Sequence, residues 1–411
     1  MIPSCLPFTA DVGLSGRTTV VGILLLGLAA CTDANDAPPQ SGTQTPPPIV
    51  EAPPPPPPPP PRAPGEATVA LLLPMTGAQG TLGQALLNAA QMALFDIGGP
   101  NFELTLHDTT GRPDGAERAM QAALAEEADL ILGPLFSTSI AAAAPQARNR
   151  QVPVVAFSND RTVGGREVWV IGLDPAAQVD RVVDYATRQG LTRFAALAPR
   201  NPYGDATLQA LQQAAARYGG FVTQVATYDP IAVTDAGPVV QQLAAARDGY
   251  DALLIPAGGS ELLGLAPLLP FYDIDPAQTQ YLGTQLWEDP SLGQEGALVG
   301  GWFAAPERSG WEAWASRYRE LYGETPPRLA SLAYDATALA AVLAQEASQT
   351  GAAPDYSLED LTDPNGFAGV DGIFRLRGDG STERGLAVLQ LQRNAIELRE
   401  TAPTSFQRLG S

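Results

Sequence analysis

The chain has 411 residues, 45% hydrophobic and 17% charged, enough for a sizeable buried core. With 44 acidic and 24 basic residues the net charge is −20, the wrong sign for a nucleic-acid footprint. Every basic residue is arginine, the only histidine is His107 and the only cysteines are Cys5 and Cys31, which excludes Schiff-base lysines, lysine phosphate loops and His/Cys zinc clusters.

Residues 1–30 read as a leader. Residues 20–30 (VVGILLLGLAA) are apolar but span only about 16 Å as a helix, roughly half a bilayer core. The run ends Leu28-Ala29-Ala30-Cys31, which resembles the bacterial lipobox, where the cysteine is lipidated and becomes the mature N-terminus. With Cys5 cleaved away and Cys31 lipidated, no thiol pair remains for a disulfide. Thr32 follows; in lipoprotein sorting, a residue other than Asp there implies the outer membrane. Residues 31–65 read as the lipidated cysteine and a linker. Between Pro38 and Pro64, 15 of 27 residues are proline, which predicts extended polyproline II reaching roughly 80 Å. The three segments carry charges of 0, −2 and −18, so the acidity belongs to the folded part.

From residue 66 onward strands and helices alternate. Residues 67–74 form a continuous apolar run, as a strand buried on both faces does. A helix is expected over 82–97, a strand over 102–108, a helix over 114–127 and a strand over 129–133. A helix over 139–150 and strands over 152–157 and 169–173 complete a βαβ series, which predicts a parallel sheet with helices on both faces. The second series has helices over 175–189, 206–218, 236–247 and 261–269. Its strands fall at 193–198, 221–228, 252–256, 280–283 and 297–303. Helices over 311–322 and 328–347 follow. Residues 372–377 and 386–392, with Gly378-Asp379-Gly380 between them, read as a hairpin. The fold class is therefore α/β: two doubly wound parallel-sheet lobes around a cleft. One lobe is expected over about 66–172 and 304–350, the other over about 173–303 and 351–400, with a tail at 401–411.

Ligands of open α/β sheets bind beyond the carboxyl ends of the strands. The turn Pro74-Met75-Thr76-Gly77 is either an anion site built from backbone N–H groups or an ordinary βα turn. Gly133 to Ser139 opens a helix, with Ser137 or Ser139 placed as N-cap; Ser137 and Thr138 are also ligand candidates. Ser158, Asn159 and Asp160 close an apolar strand, and Asp160 is equally suited to a turn. Asn201-Pro202-Tyr203-Gly204-Asp205 presents one aromatic ring, and Gly283-Thr284-Gln285-Leu286-Trp287 a second polar and aromatic set. His107 has no recognisable nucleophile in its setting, reads as structural, and leaves no enzyme, cofactor or metal site to assign.

The order of these motifs resembles the type I periplasmic-binding family, which includes the leucine/isoleucine/valine-binding proteins. The resemblance rests on the strand–PMTG–helix opening, the GP-x-x-S turn, N-P-Y-G-D and Tyr334-Asp335-Ala336, and covers about residues 66–400. It implies that Ser137 meets a ligand carboxylate and that Tyr203 supplies an aromatic contact. Two departures matter: Asp160 stands where a threonine is expected, and Gln285 stands near the place of the acid that holds an amine. Within the family, Phe157-Ser158-Asn159-Asp160, residues 169–173 and residues 372–389 are similar to the penicillin-binding protein activators. That resemblance implies a non-catalytic outer-membrane lipoprotein that activates a peptidoglycan synthase. The alternative is the amino-acid-binding component of an ABC transporter.

Overall fold

The computed structural model describes residues 66–351, 354 and 356–406. The expected leader, Cys31, the proline-rich linker and residues 407–411 lie outside them.

The first lobe begins with β1 (Ala67–Leu73), every residue of which is buried. Then follow α1 (Gly80–Ile97), β2 (Phe102–Asp108), α2 (Pro113–Ala125), β3 (Leu130–Leu132), α3 (Ser137–Arg150), β4 (Val154–Ala156) and β5 (Val168–Val170). The strands form a parallel sheet in the order β2-β1-β3-β4-β5. Apolar clusters fill both of its faces, which is why β1, β3 and β4 carry no polar alternation.

The second lobe contains α4 (Pro175–Arg188), β6 (Arg193–Pro199), α5 (Pro202–Arg217), β7 (Phe221–Tyr228) and α6 (Gly237–Ala244). These lead to β8 (Ala252–Leu254), α7 (Gly259–Leu265), α8 (Leu268–Phe271), β9 (Gln280–Gly283) and β10 (Trp302–Ala305). The parallel order β7-β6-β8-β9-β10 repeats that of the first lobe. The strand expected at 297–303 begins only at Trp302; Ala297 and Leu298 belong to a 3₁₀ turn.

The two lobes share a local device. Gly83, in the first turn of α1, and Gly204, in the first turn of α5, press against a proline carbonyl, that of Pro74 just after β1 and that of Pro199 at the end of β6. A Cβ would stand 2.2 Å from the Pro74 oxygen at the first and 1.9 Å from the Pro199 oxygen at the second. Only glycine permits that approach of helix to strand.

The C-terminal third departs from the expected hairpin. After α9 (Arg308–Tyr322), α10 (Ala330–Thr350) and α11 (Leu358–Leu361) come β11 (Phe367–Gly369), β12 (Gly372–Leu376) and β13 (Thr382–Arg384), then β14 (Ala387–Gln392) and β15 (Ala395–Glu400). The Gly378-Asp379-Gly380 turn does reverse the chain, but it pairs β12 with β13, not with β14. Asp379 fixes the turn by accepting from the Ser381 backbone and hydroxyl. β14 instead lies antiparallel to β10, and β15 pairs with β14, so the second sheet is mixed rather than wholly parallel. β15 is entered through Asn394 at φ 57°, a conformation asparagine tolerates better than most residues.

The lobe boundaries shift accordingly. β10 stays in the second lobe, with Phe303 and Ala305 in its core. Tyr356, Leu361, Phe374 and Leu376 bury themselves in the first lobe's core, not in the second as the sequence suggested. The chain thus passes between lobes near residues 172, 306 and 385. Among the described residues no helix is long and apolar enough to cross a membrane, and no three His, Cys, Asp or Glu side chains assemble as a metal site.

Candidate functional site

Loops at the carboxyl ends of strands from both lobes enclose a cavity of about 740 Å³. From the first lobe the β3–α3 loop brings Leu135, Phe136 and Ser137. The segment after β4 brings Ser158, Asn159 and Asp160, and the segment after β5 brings Gly172 and Leu173. The second lobe adds Gln178 and Tyr203 from α4 and α5, and Gln285, Leu286, Glu288 and Asp289 from the turn after β9. Trp311 of α9 and Arg328 and Leu329 before α10 close the wall.

Six of the expected residues therefore reach one cavity: Ser137, Ser158, Asn159, Asp160, Tyr203 and Gln285. Ser137 is not an N-cap. Phe136 takes that position, Ser137 is the first helical residue, and buried Ser139 has no hydrogen-bond partner. Asp160 does serve a turn: it accepts from the Thr162 N–H at 3.0 Å and the Thr162 hydroxyl at 2.6 Å. Ser158 Oγ accepts from the Asp160 N–H at 3.0 Å, which ties these two wall residues together. The Tyr203 hydroxyl shares a 2.8 Å hydrogen bond with Thr284. Burial pushes the Tyr203 phenol up to about 12, so it stays neutral in physiological conditions and offers its ring to the cavity.

Three expected residues stand away from the cavity wall. Thr76 donates to Asp108 Oδ2 at 2.6 Å, and the Met75, Thr76 and Thr110 N–H groups bond to the other oxygen of that carboxylate. Burial alone would raise the Asp108 pKa, but these four hydrogen bonds outweigh it and hold it below the usual carboxylate range. The anion held by the PMTG turn is thus the chain's own Asp108. Thr138 is exposed on α3. Trp287 is fully buried in the second lobe's core, where its indole N–H donates to the Ile255 carbonyl at 3.1 Å. His107 is on edge strand β2, 3.3 Å from Glu126, outside the cavity-lining set.

Sequence reasoning missed the charged cluster of this cavity. Gln285 donates from its side chain to Glu288 Oε2 at 3.0 Å, while its backbone N–H bonds to Gln178 Oε1 at 2.8 Å. Glu288 also accepts from Arg328 Nε at 3.2 Å, a contact from the second lobe to the first. An acid thus reaches the cavity wall three residues beyond Gln285. The Arg328 guanidinium lies 4.5 Å from the centre of the Trp311 ring, a cation–π distance. Arg328 is also ion-paired with Asp371, which is fully buried and accepts from the Ser331 hydroxyl at 2.7 Å. The only signals in the sequence were an acid close behind a polar strand end and an arginine just before a long helix.

The fold recurs in solute-binding proteins. An ABC transporter substrate-binding protein from Sphaerobacter thermophilus superposes with a TM-score of 0.67 at 17% identity, over 83% of this chain and 98% of that one. A leucine-binding protein from Thermotoga maritima MSB8 gives 0.58 at 22% identity, over 81% and 97%. An ABC transporter solute-binding protein from Rhodopseudomonas palustris BisB5, solved with 3,4-dihydroxybenzoic acid, gives 0.60 at 18%, over 84% and 98%. By sequence, the uncharacterized protein RP748 of Rickettsia prowazekii is 24% identical over 147 residues, 36% of this chain and 39% of that protein. The family model described as periplasmic binding protein matches residues 66–395. With a two-lobed fold, a cleft at the strand ends and a family match spanning most of its length, the chain belongs to the periplasmic binding protein family.

Proposed function

We propose that this chain is a lipid-anchored, periplasm-facing solute-binding protein that holds a small organic ligand between its lobes, as ABC-transporter binding components do. The cavity carries the reading. Its volume of about 740 Å³ lies within the range of small-molecule sites, and polar side chains from both lobes converge on it among apolar ones. In this reading Ser137, Asn159, Asp160, Tyr203 and Gln285 are ligand contacts, joined by Glu288, Asp289 and Arg328. Cys31 carries the lipid, and Thr32 directs the anchor to the outer membrane. The test is mass spectrometry of small molecules released when the natively purified chain is unfolded. One ligand released in stoichiometric amount is expected. A protein that releases nothing, and whose melting temperature no member of a broad solute library raises, ends this reading.

One feature favours a second reading. Residues 38–64 carry 15 prolines in 27, a composition for which a solute carrier has no evident use. It suits a lipoprotein that regulates a peptidoglycan synthase, a penicillin-binding protein. The sequence resemblance favours that role, whereas the solute-binding proteins that share the fold favour the first reading. The full chain is expected, on this reading, to retain the synthase in a pull-down and raise its transpeptidase rate. Neither retention nor stimulation removes it and leaves the first reading intact.

A further inference from the structure

We infer that the cleft takes a ligand with an apolar body and an amine but no free carboxylate. This rests on the solute-binding reading above and concerns the same cavity. Three carboxylate side chains are on its wall, Asp160, Glu288 and Asp289, against one guanidinium, Arg328. The Asp160 and Asp289 side chains accept from the backbone N–H groups of Thr162 and Ser291, contacts that position the carboxylates without cancelling their charge. Arg328 already faces two counter-ions, Glu288 and Asp371, and has no net positive charge left for a third. Its Nη2 is buried and makes no hydrogen bond, so it adds no accessible donor for an anion. The first turn of α3, at Ser137, adds the partial positive charge of a helix N-terminus, about half that of a full cation.

The other place where an anion could sit is taken. Asp108 fills the turn after β1. An incoming carboxylate would meet like charges and no uncommitted cation, whereas an ammonium group meets carboxylates beside the aromatic residues Trp311 and Phe136 of the wall. Leu82, Leu135, Leu173 and Leu329 provide the apolar surface for the rest of the molecule.

The experiment is calorimetric titration of the full chain in detergent with phenethylamine, 3-phenylpropionate and phenylalanine. Phenethylamine is expected to bind at least about tenfold more tightly than 3-phenylpropionate, with phenylalanine weaker than the amine. The Asp160→Asn/Asp289→Asn variant keeps both capping oxygens and is expected to bring the amine and acid affinities close together, with an unchanged melting temperature as control. Equal or tighter binding of 3-phenylpropionate, or a ratio unmoved in that variant, overturns the inference while leaving the cleft a binding site. Flat isotherms with all three probes also overturn it, and the solute-binding reading is then decided by the released-ligand measurement.

Discussion

Replacing Arg328 with Met is expected to lower stability by about 3–5 kcal/mol, the cost of stranding a buried charge. Asp371 has no exposed surface, and without Arg328 its carboxylate would keep the Ser331 hydroxyl but lose its cation. The side chain of Glu288 is only 7% exposed and would lose its cation as well, keeping only the Gln285 amide. Methionine keeps the aliphatic bulk beside Trp311, so the loss isolates charge rather than packing. The measurement is chemical denaturation of Arg328→Met beside Arg328→Met/Asp371→Asn. The second variant removes the orphaned carboxylate and is expected to recover most of the loss. A loss under about 1 kcal/mol in the single variant would mean that water reaches Asp371 and that the ion pair has the small value of a surface pair.

A second large effect is expected from pH. Asp335 is on α10, fully buried. Burial pushes its carboxyl up to about 6 from an ordinary 3.8; Arg384 pulls it back, and Asp371 adds to the rise. Its oxygens face the Val370 N–H at 2.7 Å, Arg384 Nη1 at 3.3 Å and the close backbone of Gly369. The folded state therefore holds this proton more tightly than the unfolded chain does. The stability this group contributes is fully present below about pH 4 and is lost as pH rises through about 6, a change of about 2–3 kcal/mol. Asp335→Asn is fixed in the neutral form. Between pH 4 and pH 7 the wild type is expected to lose about that much relative to the variant, read from denaturation midpoints across the range. A difference that stays flat with pH would show that Asp335 ionises normally and that Arg384 outweighs the burial.

Much of the fold was legible because buried parallel strands are local signals. β1, β3 and β4 are runs of apolar residues, and Ala-rich helices such as α2 and α3 fall between them. The cleft loops were legible for a related reason: in this topology any polar cluster after a strand faces the same end of the sheet, so the turns after β3, β4, β6 and β9 converge. Pairing was not legible. Residues 386–392 have the alternation of a strand, yet nothing in that alternation says whether the partner is β12 or β10. The charged cluster was hidden for a similar reason. Glu288 and Arg328 are forty residues apart, and each alone looks like a solvated side chain. Trp287 misled in the opposite direction: an aromatic at a strand end reads as cleft, but Gly283 leaves a gap that its ring fills inside the lobe. A Cβ at Gly283 would stand 2.5 Å from that ring.

The three passages between lobes bear on how the protein is made. The first lobe opens with β1 but lacks part of its core until Phe374 and Leu376 arrive, some three hundred residues later. The second lobe waits for β14, which pairs with β10, and then for β15. Neither half can finish folding while the last eighty or so residues are unmade. Contacts this far apart in sequence slow the search for the native state. For a chain bound for the periplasm that delay is useful, because an unfinished core keeps the polypeptide threadable until export is under way. Commitment to the final structure then waits for Phe374 and Leu376 to complete the first lobe's core and for β14 and β15 to complete the second sheet.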